Sequence, residues 1–471
     1  MSVEIGPLIG ETTESSVKVW LKGEARRSGD IPRGQAYEGI FRLFDGDGLQ
    51  VALERAALKP EDDFTVCARF AGLAPDTPYS VTVETTGGGM AAFGAMPVKR
   101  DHLVGRFRTA PDQASPRHRK LRFGTGSCRY FGWQRDTTDL EDSDRIFGAV
   151  CRLHEQEPLD FFLMIGDQIY ADVMFHRAAR SRKDFFTAYR RGFAQKNIAR
   201  LFRSMPNYMM LDDHEIRDDW SRDRLDEDED IFVNAMHAYR CYQDSHNPDH
   251  GNAPDDIKDA DWWYTFRYGT FPFFVADVRT RRVKKPAADA RRTMLGDRQL
   301  ESLKQWLREN KEAPRLFVVM SVPLFPDTRE DAPFDDPNDK WAGFNEERFE
   351  ILDCIRENGI GNVTFVGGDV HNSHFAKLTC DEDSSFAVAS LVSSAFFRYS
   401  YLKKKHFHVS YELPRPSGAR PPGRYRYVSE GYQHFPNFVV VDVDLTRPDG
   451  ETANAEIYSI NGNKLYGPYR F

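Results

Sequence analysis

Four short stretches of this chain collect side chains that can hold cations. They are Gly124-Thr-Gly-Ser-Cys128-Arg129, Gly166-Asp167-Gln-Ile-Tyr170-Ala-Asp172, Leu211-Asp212-Asp213-His214-Glu215 and Gly367-Gly368-Asp369-Val-His371-Asn372. Carboxylates, imidazoles, a thiol and a phenol together make a pocket suited to hard or borderline cations. In three stretches a glycine precedes the polar residue, which lets the backbone turn sharply and approach a ligand. Each stretch follows an apolar run that reads as a buried strand. In open α/β sheets ligands bind at the carboxyl ends of the strands, so four loops of this kind are expected to converge.

The elements that must position them follow from the apolar pattern. Leu121-Arg-Phe-Gly-Thr, Leu159-Asp-Phe-Phe-Leu-Met-Ile165, Asn207-Tyr-Met-Met-Leu211, Phe271-Pro-Phe-Phe-Val-Ala276, Arg315-Leu-Phe-Val-Val-Met320 and Val363-Thr-Phe-Val-Gly367 read as strands, most of them covered on both faces. Helices are expected over 297–309 and 346–358, and another starts near Asp142-Ser143 with Ile146, Val150 and Leu153 on its apolar face. The sequence 437–443 and 455–458 is β again. This alternation gives a layered α/β domain over 121–471. Residues 1–110 read as β only, and Leu73-Ala-Pro75-Asp-Thr77-Pro-Tyr79 followed by period-two apolar positions resembles a fibronectin type III or Ig-like sandwich. Residues 111–120, polar and rich in chain breakers, read as the linker between the two.

The four loops, in their order, resemble the alkaline phosphatase D (PhoD-like) branch of the calcineurin-like metallophosphoesterases. GSC, GDQIY, DDHE and GDVH stand where the superfamily carries its ligand motifs, and the Cys after the first strand and the Tyr three residues beyond the GD Asp mark the branch. Tyr239-Arg-Cys-Tyr-Gln-Asp-Ser-His246, Ala276-Asp277-Val-Arg279 and Met294-Leu-Gly-Asp-Arg-Gln299 are weaker family-like stretches. The resemblance implies a β-sandwich flanked by helices, with an extra N-terminal β domain. It implies a metal-dependent phosphoric-ester hydrolase in which a metal-bound hydroxide attacks phosphorus in line. Asp167 would bridge two metals. Cys128 and Tyr170 would bind on one side, Asp213 and Asp369 on the other, with the adjacent Asp212 open as the alternative to Asp213 and one of the two as a helix cap, and His371 matches the last His of the family pattern. Fe(3+) with Ca(2+) is the metal pair the family implies, and Mg(2+), Mn(2+) or Zn(2+) fit the same donors. His214 would touch the phosphate and act as general acid, and Arg129, beside the ligand Cys, would clamp phosphate oxygens. Asp172 and Glu215 are read as orienting neighbours.

Composition limits the partners. The chain has 471 residues, with 64 Lys plus Arg against 72 Asp plus Glu, so no surface for broad nucleic-acid binding is expected, and a small phosphate ester is the expected substrate. Oligomeric state is not legible. The sequence contains no run of roughly 20 apolar residues that would suit a membrane span. The six cysteines are scattered without CxxC spacing, so neither a disulfide framework nor a structural zinc site is expected, and no secretory leader opens the chain, which reads as cytoplasmic unless a signal was removed. The acidic run 223–230 reads as a solvated segment near the mouth of the site, and Trp262, Trp263 and Trp341 read as core. The same loops allow a phospholipid or phosphoanhydride hydrolase, or a non-catalytic scaffold stabilised by metal. Segments 172–205, 218–265 and 395–430 are expected to shape substrate choice.

Overall fold

The computed structural model describes residues 3–25, 37–86, 103–131, 138–173, 178–250, 256–285, 291–333, 336–398, 402–415, 423–448 and 450–471. Residues 174–177, 251–255, 399–401 and 416–422, within the segments expected to shape substrate choice, lie outside them.

The N-terminal part is built from β1 (Val3–Thr12), β2 (Ser16–Gly23), β3 (Glu38–Phe44), β4 (Gln50–Ala57), β5 (Thr65–Ala71), β6 (Pro78–Thr85) and β7 (Val104–Arg108). They pair as two sheets, ordered β1-β2-β5 and β4-β3-β6-β7. Alternate side chains such as Val19, Leu21, Phe41, Leu43, Phe70 and Val81 fill the space between them. The Leu73–Tyr79 turn is closed by the Tyr79 hydroxyl, which accepts from Ala74 N at 3.0 Å.

The remainder runs β8 (Lys120–Gly126), α1 (Thr138–Gln156), β9 (Phe161–Ile165), α2 (Arg182–Phe193), α3 (Lys196–Ser204), β10 (Asn207–Met210), α4 (Leu225–Tyr242), β11 (Tyr264–Tyr268) and β12 (Phe271–Ala276). Then follow α5 (Asp297–Glu309), β13 (Leu316–Met320), α6 (Asn345–Glu357), β14 (Val363–Gly367), β15 (Ser373–Cys380) and β16 (Asp383–Val392). The chain ends with β17 (Ser410–Glu412), β18 (Tyr425–Gln433), β19 (Asn437–Asp444), β20 (Ala453–Ser459) and β21 (Lys464–Arg470). One sheet is ordered β10-β9-β8-β19-β20-β21, the other β11-β12-β13-β14-β16-β15-β18-β17. Within them β8, β9 and β10 are parallel, as are β12, β13, β14 and β16.

The apolar runs are explained by burial on both faces. Phe161, Leu163 and Ile165 point between the two sheets, while Phe162 and Met164 pack under the helices on the outer face. Between the sheets the aromatic residues interlock: Phe123 stacks on Phe161 at 5.1 Å and meets Phe273 edge-on at 5.7 Å. Helices α1 to α4 cover one sheet, and α5 and α6 cover the other through Leu300, Leu303, Leu307 and Leu352. The result is a helix, sheet, sheet, helix sandwich whose parallel strands end on one edge.

Three local readings need correction. Helix α1 begins at Thr138, ahead of Asp142-Ser143, and Ser143 is inside it, bonded to Leu140 O. The acidic run 223–230 is largely exposed, as expected, but it forms the start of α4 rather than the lining of the cavity: α4 begins at Leu225, and Asp228 pairs with Arg217 at 2.6 Å. The 111–120 stretch is not a free tether either. Arg117 bridges Asp76 and Asp160, and Ser115 donates to Asp76 at 2.6 Å. The N-terminal sheets are docked: Trp20 packs on Tyr242 and donates to Cys241 O at 2.8 Å. Among the described residues no helix is long and apolar enough to cross a membrane.

Candidate active site

The four loops meet at the carboxyl ends of β8, β9, β10 and β14. Their backbone is held in a costly conformation there. Eight described non-glycine residues have positive φ, and four of them are Cys128 (58°), Asp167 (56°), Asp369 (58°) and His371 (48°). Each such residue costs on the order of 1–3 kcal/mol and persists only where the surroundings enforce it. The effect is to turn four donor side chains back over the strand ends. Two glycines make room: a Cβ on Gly166 (φ 94°) would lie 2.5 Å from Asp212 Cβ, and one on Gly368 would lie 2.6 Å from Ser127 Oγ.

Glu215 ties the loops together. Buried, it accepts from Asp167 N (3.0 Å), Gln168 N (2.7 Å), Asp212 N (2.8 Å) and Gln243 Nε2 (3.1 Å). Burial pushes its carboxyl up to about 7 despite these donors.

Above this base, Asp167 Oδ2 accepts from the Tyr170 hydroxyl at 3.2 Å, and that hydroxyl lies 3.4 Å from His371 Nε2. Cys128 Sγ receives the Ser394 hydroxyl at 3.3 Å, and Ser394 Oγ also accepts from His371 N at 3.0 Å. Donor atoms of Cys128, Asp167 and His371 lie within 4.8 Å of one another, as do those of Asp212, Asp213 and Asp369, and of Asp167, Asp213 and His214. Asp213 faces the cavity. Asp212 is turned to Ser321 Oγ (2.7 Å) and Arg279, with its Oδ2 buried and without a hydrogen-bond partner.

The electrostatics ask for a cation. Burial, then Asp167 and Asp369, hold the Cys128 thiol well above its ordinary value. Burial, then Asp167 and Cys128, do the same to Tyr170. Asp167 and Asp369 are pushed well up by burial and by neighbouring carboxylates, outweighing His214 and Arg279. Burial, with Arg398 and His214 nearby, lowers His371 to about 3, so it offers a neutral imidazole. Thiol, phenol and carboxyl donors that repel one another when ionised, beside a neutral imidazole, fit a metal centre, because a bound cation opposes the upward shifts and favours the neutral imidazole.

His214 is different. Its Nδ1 lies 2.9 Å from both Asp172 oxygens, and its ring packs on Tyr170 with centroids 4.0 Å apart. Burial opposes its charge, yet Asp213, Asp167 and Asp172 together raise it well above the ordinary histidine value. Asp172 in turn is held below its ordinary value by His214, against burial. His214 is thus an imidazole clamped at Nδ1 on the wall of a cavity of about 400 Å³.

Cys128, Asp167, Tyr170, Asp213, His214, Asp369 and His371 are brought together; Arg129 is not. Fully buried, it donates to Gly192 O at 2.7 Å, lies 3.7 Å from Asp144, and is flanked by the rings of Phe131 and Phe147. The turn at Cys128 sends the next side chain under the loop, so the expectation of a phosphate clamp at Arg129 is corrected. The cavity's cationic groups are instead Arg398, whose guanidinium lies over the rings of Tyr130 (4.5 Å) and Tyr170 (5.6 Å), and Lys340. No spacing in the sequence marked either one. Arg279, in the family-like stretch Ala276-Asp277-Val-Arg279 just after the buried β12, had no role assigned to it. It reaches Asp212 and Asp339, and lies 3.4 Å from Asp213 and 3.5 Å from Asp369.

Comparison with known proteins agrees with this geometry. The PhoD-like phosphatase family profile matches residues 123–416, more than half the chain. Alkaline phosphatase D of Bacillus subtilis (strain 168) is 23% identical over 420 residues. That match covers 80% of this chain and 66% of the relative, so the chain spans slightly less than two thirds of the relative's length. A solved structure described as PhoD superposes with a TM-score of 0.68 at 17% identity, covering 100% of this chain and 94% of the other, and is similar in fold. With all four donor loops inside the matched span, the chain belongs to the PhoD-like phosphatase family.

Proposed function

We propose that this chain is a metal-dependent phosphoric-ester hydrolase acting on monoesters, diesters or both. The observation that carries this reading is the convergence of Cys128, Asp167, Asp369 and His371, each in left-handed backbone, on one cavity that His214, held at Nδ1 by Asp172, also lines. We assign Asp167 to bridge two cations, Cys128, Tyr170 and His371 to one of them, and Asp213 and Asp369 to the other. Thiolate and phenolate donors suit Fe(3+), and a carboxylate set suits Ca(2+) or Mg(2+). Cations held there would polarise the phosphoryl oxygens, neutralise the charge that builds on them and ease deprotonation of water.

The chain's own groups do the rest. Asp172 fixes His214 Nδ1, which leaves Nε2 to face the cavity and hand a proton to the departing ester oxygen. Tyr170 lies beneath the imidazole and limits its rotation. Arg398, stacked on two tyrosines, offers planar donors to phosphate oxygens. Across the cavity Asp218, Asp219 and Asp336 disfavour a substrate with several phosphate charges, which weighs for an ester over a phosphoanhydride. A scaffold without turnover would have no use for a His214 clamped by Asp172 at the cavity wall.

Protein stripped of metal and reloaded with iron and calcium, manganese or magnesium should hydrolyse p-nitrophenyl phosphate, its bis ester, or both. No turnover with any of these ions, in protein that has taken them up, would contradict the reading.

A further inference from the structure

Away from the strand-end cavity, a second group of metal-type donors lies where the N-terminal sheets meet the helical layer. His237 and Cys241 are four residues apart on α4 and so share one of its faces. Opposite them stands Asp62, at the end of the short 3-10 turn Pro60–Asp62 between β4 and β5. Asp62 Oδ1 lies 3.2 Å from His237 Nε2 and 3.9 Å from Cys241 Sγ, and the three donor atoms all lie within 4.8 Å of one another. The edges of a tetrahedron drawn with zinc–ligand bonds of 2.0–2.3 Å are about 3.3–3.8 Å long, close to both separations. The carbonyl oxygen of Glu61, 3.0 Å from His237 Nε2, stands at the same place as a further oxygen donor. Cys241 is buried while His237 and Asp62 are partly open, so an ion has a way in.

From this arrangement we infer a structural zinc site, formed by Asp62, His237 and Cys241, that joins the N-terminal sheets to α4. One sulfur, one nitrogen and one carboxylate oxygen select zinc over calcium or magnesium. The charges close: Zn(2+) with one thiolate, one carboxylate and one neutral imidazole sums to zero, which suits a half-buried position beside Arg182 and Arg240. The Cys241 thiol gives up its proton to solvent as the cation binds. His237 shifts its ring proton from Nε2 to Nδ1 as Nε2 takes the metal. The site adds a link to a seam that also holds Arg190 on Asp63 (2.7 Å), Tyr242 on Asp63 and Trp20 on Cys241 O.

The test uses the full chain carrying Cys128→Ser, which silences the thiol of the strand-end centre. Stripped of metal and titrated with Co(2+), this protein should develop a thiolate-to-cobalt charge-transfer absorption whose final amplitude corresponds to one thiolate-bound cobalt per chain, whatever cobalt the thiol-free strand-end centre also takes. The absorption should vanish in Cys128→Ser/Cys241→Ser, and His237→Ala on the Cys128→Ser background should weaken it at least roughly tenfold in affinity. No absorption in folded Cys128→Ser protein, or its survival without Cys241, overturns the inference. If Cys128→Ser does not fold, elemental analysis of zinc-reconstituted wild type and Cys241→Ser decides. A loss of one zinc per chain supports the site, and equal zinc content overturns it. Neither readout depends on hydrolytic activity.

Discussion

Glu215 offers the sharpest way to perturb the site without touching a proposed ligand. Its carboxylate takes three backbone N–H groups and one amide, and the backbone donors belong to Asp167, Gln168 and Asp212. Glu215→Ala leaves those three donors unpaired in a buried position. Each buried donor without a partner costs about 1–3 kcal/mol. Relief from burying a carboxylate raised to about 7, and entry of water into the vacated space, offset part of that sum. The expected net loss of unfolding free energy is about 3–5 kcal/mol. Because the freed peptides carry Asp167 and its neighbours, metal affinity should fall with stability, by roughly 10- to 100-fold. Glu215→Gln keeps one acceptor oxygen but sets an NH₂ against a backbone donor, so it should fall between wild type and Ala on both scales. Urea unfolding of stripped protein measures the first quantity, and chelator competition on folded protein measures the second. A folded Glu215→Ala variant with unchanged unfolding energy and unchanged metal affinity would refute the reasoning that this carboxylate holds the donor loops in place.

Three further outcomes follow from particular contacts. Arg129→Met should lower stability by about 2–4 kcal/mol while sparing kcat/KM of the folded protein, whereas Arg398→Ala should leave unfolding unchanged and cut kcat/KM about 10- to 100-fold; urea titration and steady-state kinetics on the bis ester separate the two. His214→Ala should retain the metal content of wild type and lose about 10²- to 10⁴-fold in kcat, read by elemental analysis alongside turnover. Asp244 bonds His250 and, against burial, raises it above its ordinary value. That stabilisation is complete below the unfolded histidine pKa of about 6.5 and is lost as pH rises through the folded value. Asp244→Asn should therefore cost roughly 1–3 kcal/mol near pH 6 and less near pH 9, measured by denaturant unfolding at both.

Much of this arrangement was legible before any coordinates. Strands such as Phe161–Ile165 are covered on both faces, one by the opposing sheet and one by helices, and so read as unbroken apolar runs. Parallel strands must end on one edge, which is why loops more than two hundred residues apart in sequence meet. Directions within a loop were not legible. Nothing in Ser-Cys-Arg says that Cys128 takes a left-handed φ and sends Arg129 inward to Gly192 O, while Arg398, far along the chain, comes to the cavity. Caps hid in the same way: Asp144 spends its carboxylate on Asn197 N and Ile198 N at the head of α3, more than fifty residues away in sequence. Ser394, which touches both Cys128 and His371, follows the buried end of β16 and shares the strand-end position of the other loops. Its neutral side chain carries no mark of a metal-binding residue.

The central claim is that cations gathered around Asp167 make this a phosphoric-ester hydrolase. Its most direct test is hydrolysis of p-nitrophenyl phosphate and the bis ester by wild type and Asp167→Asn, both stripped and reloaded, with bound metal counted on the same samples. The expected result is turnover by loaded wild type only, with Asp167→Asn losing metal at both positions together. Turnover and metal content equal to wild type in the Asp167 variant would contradict it.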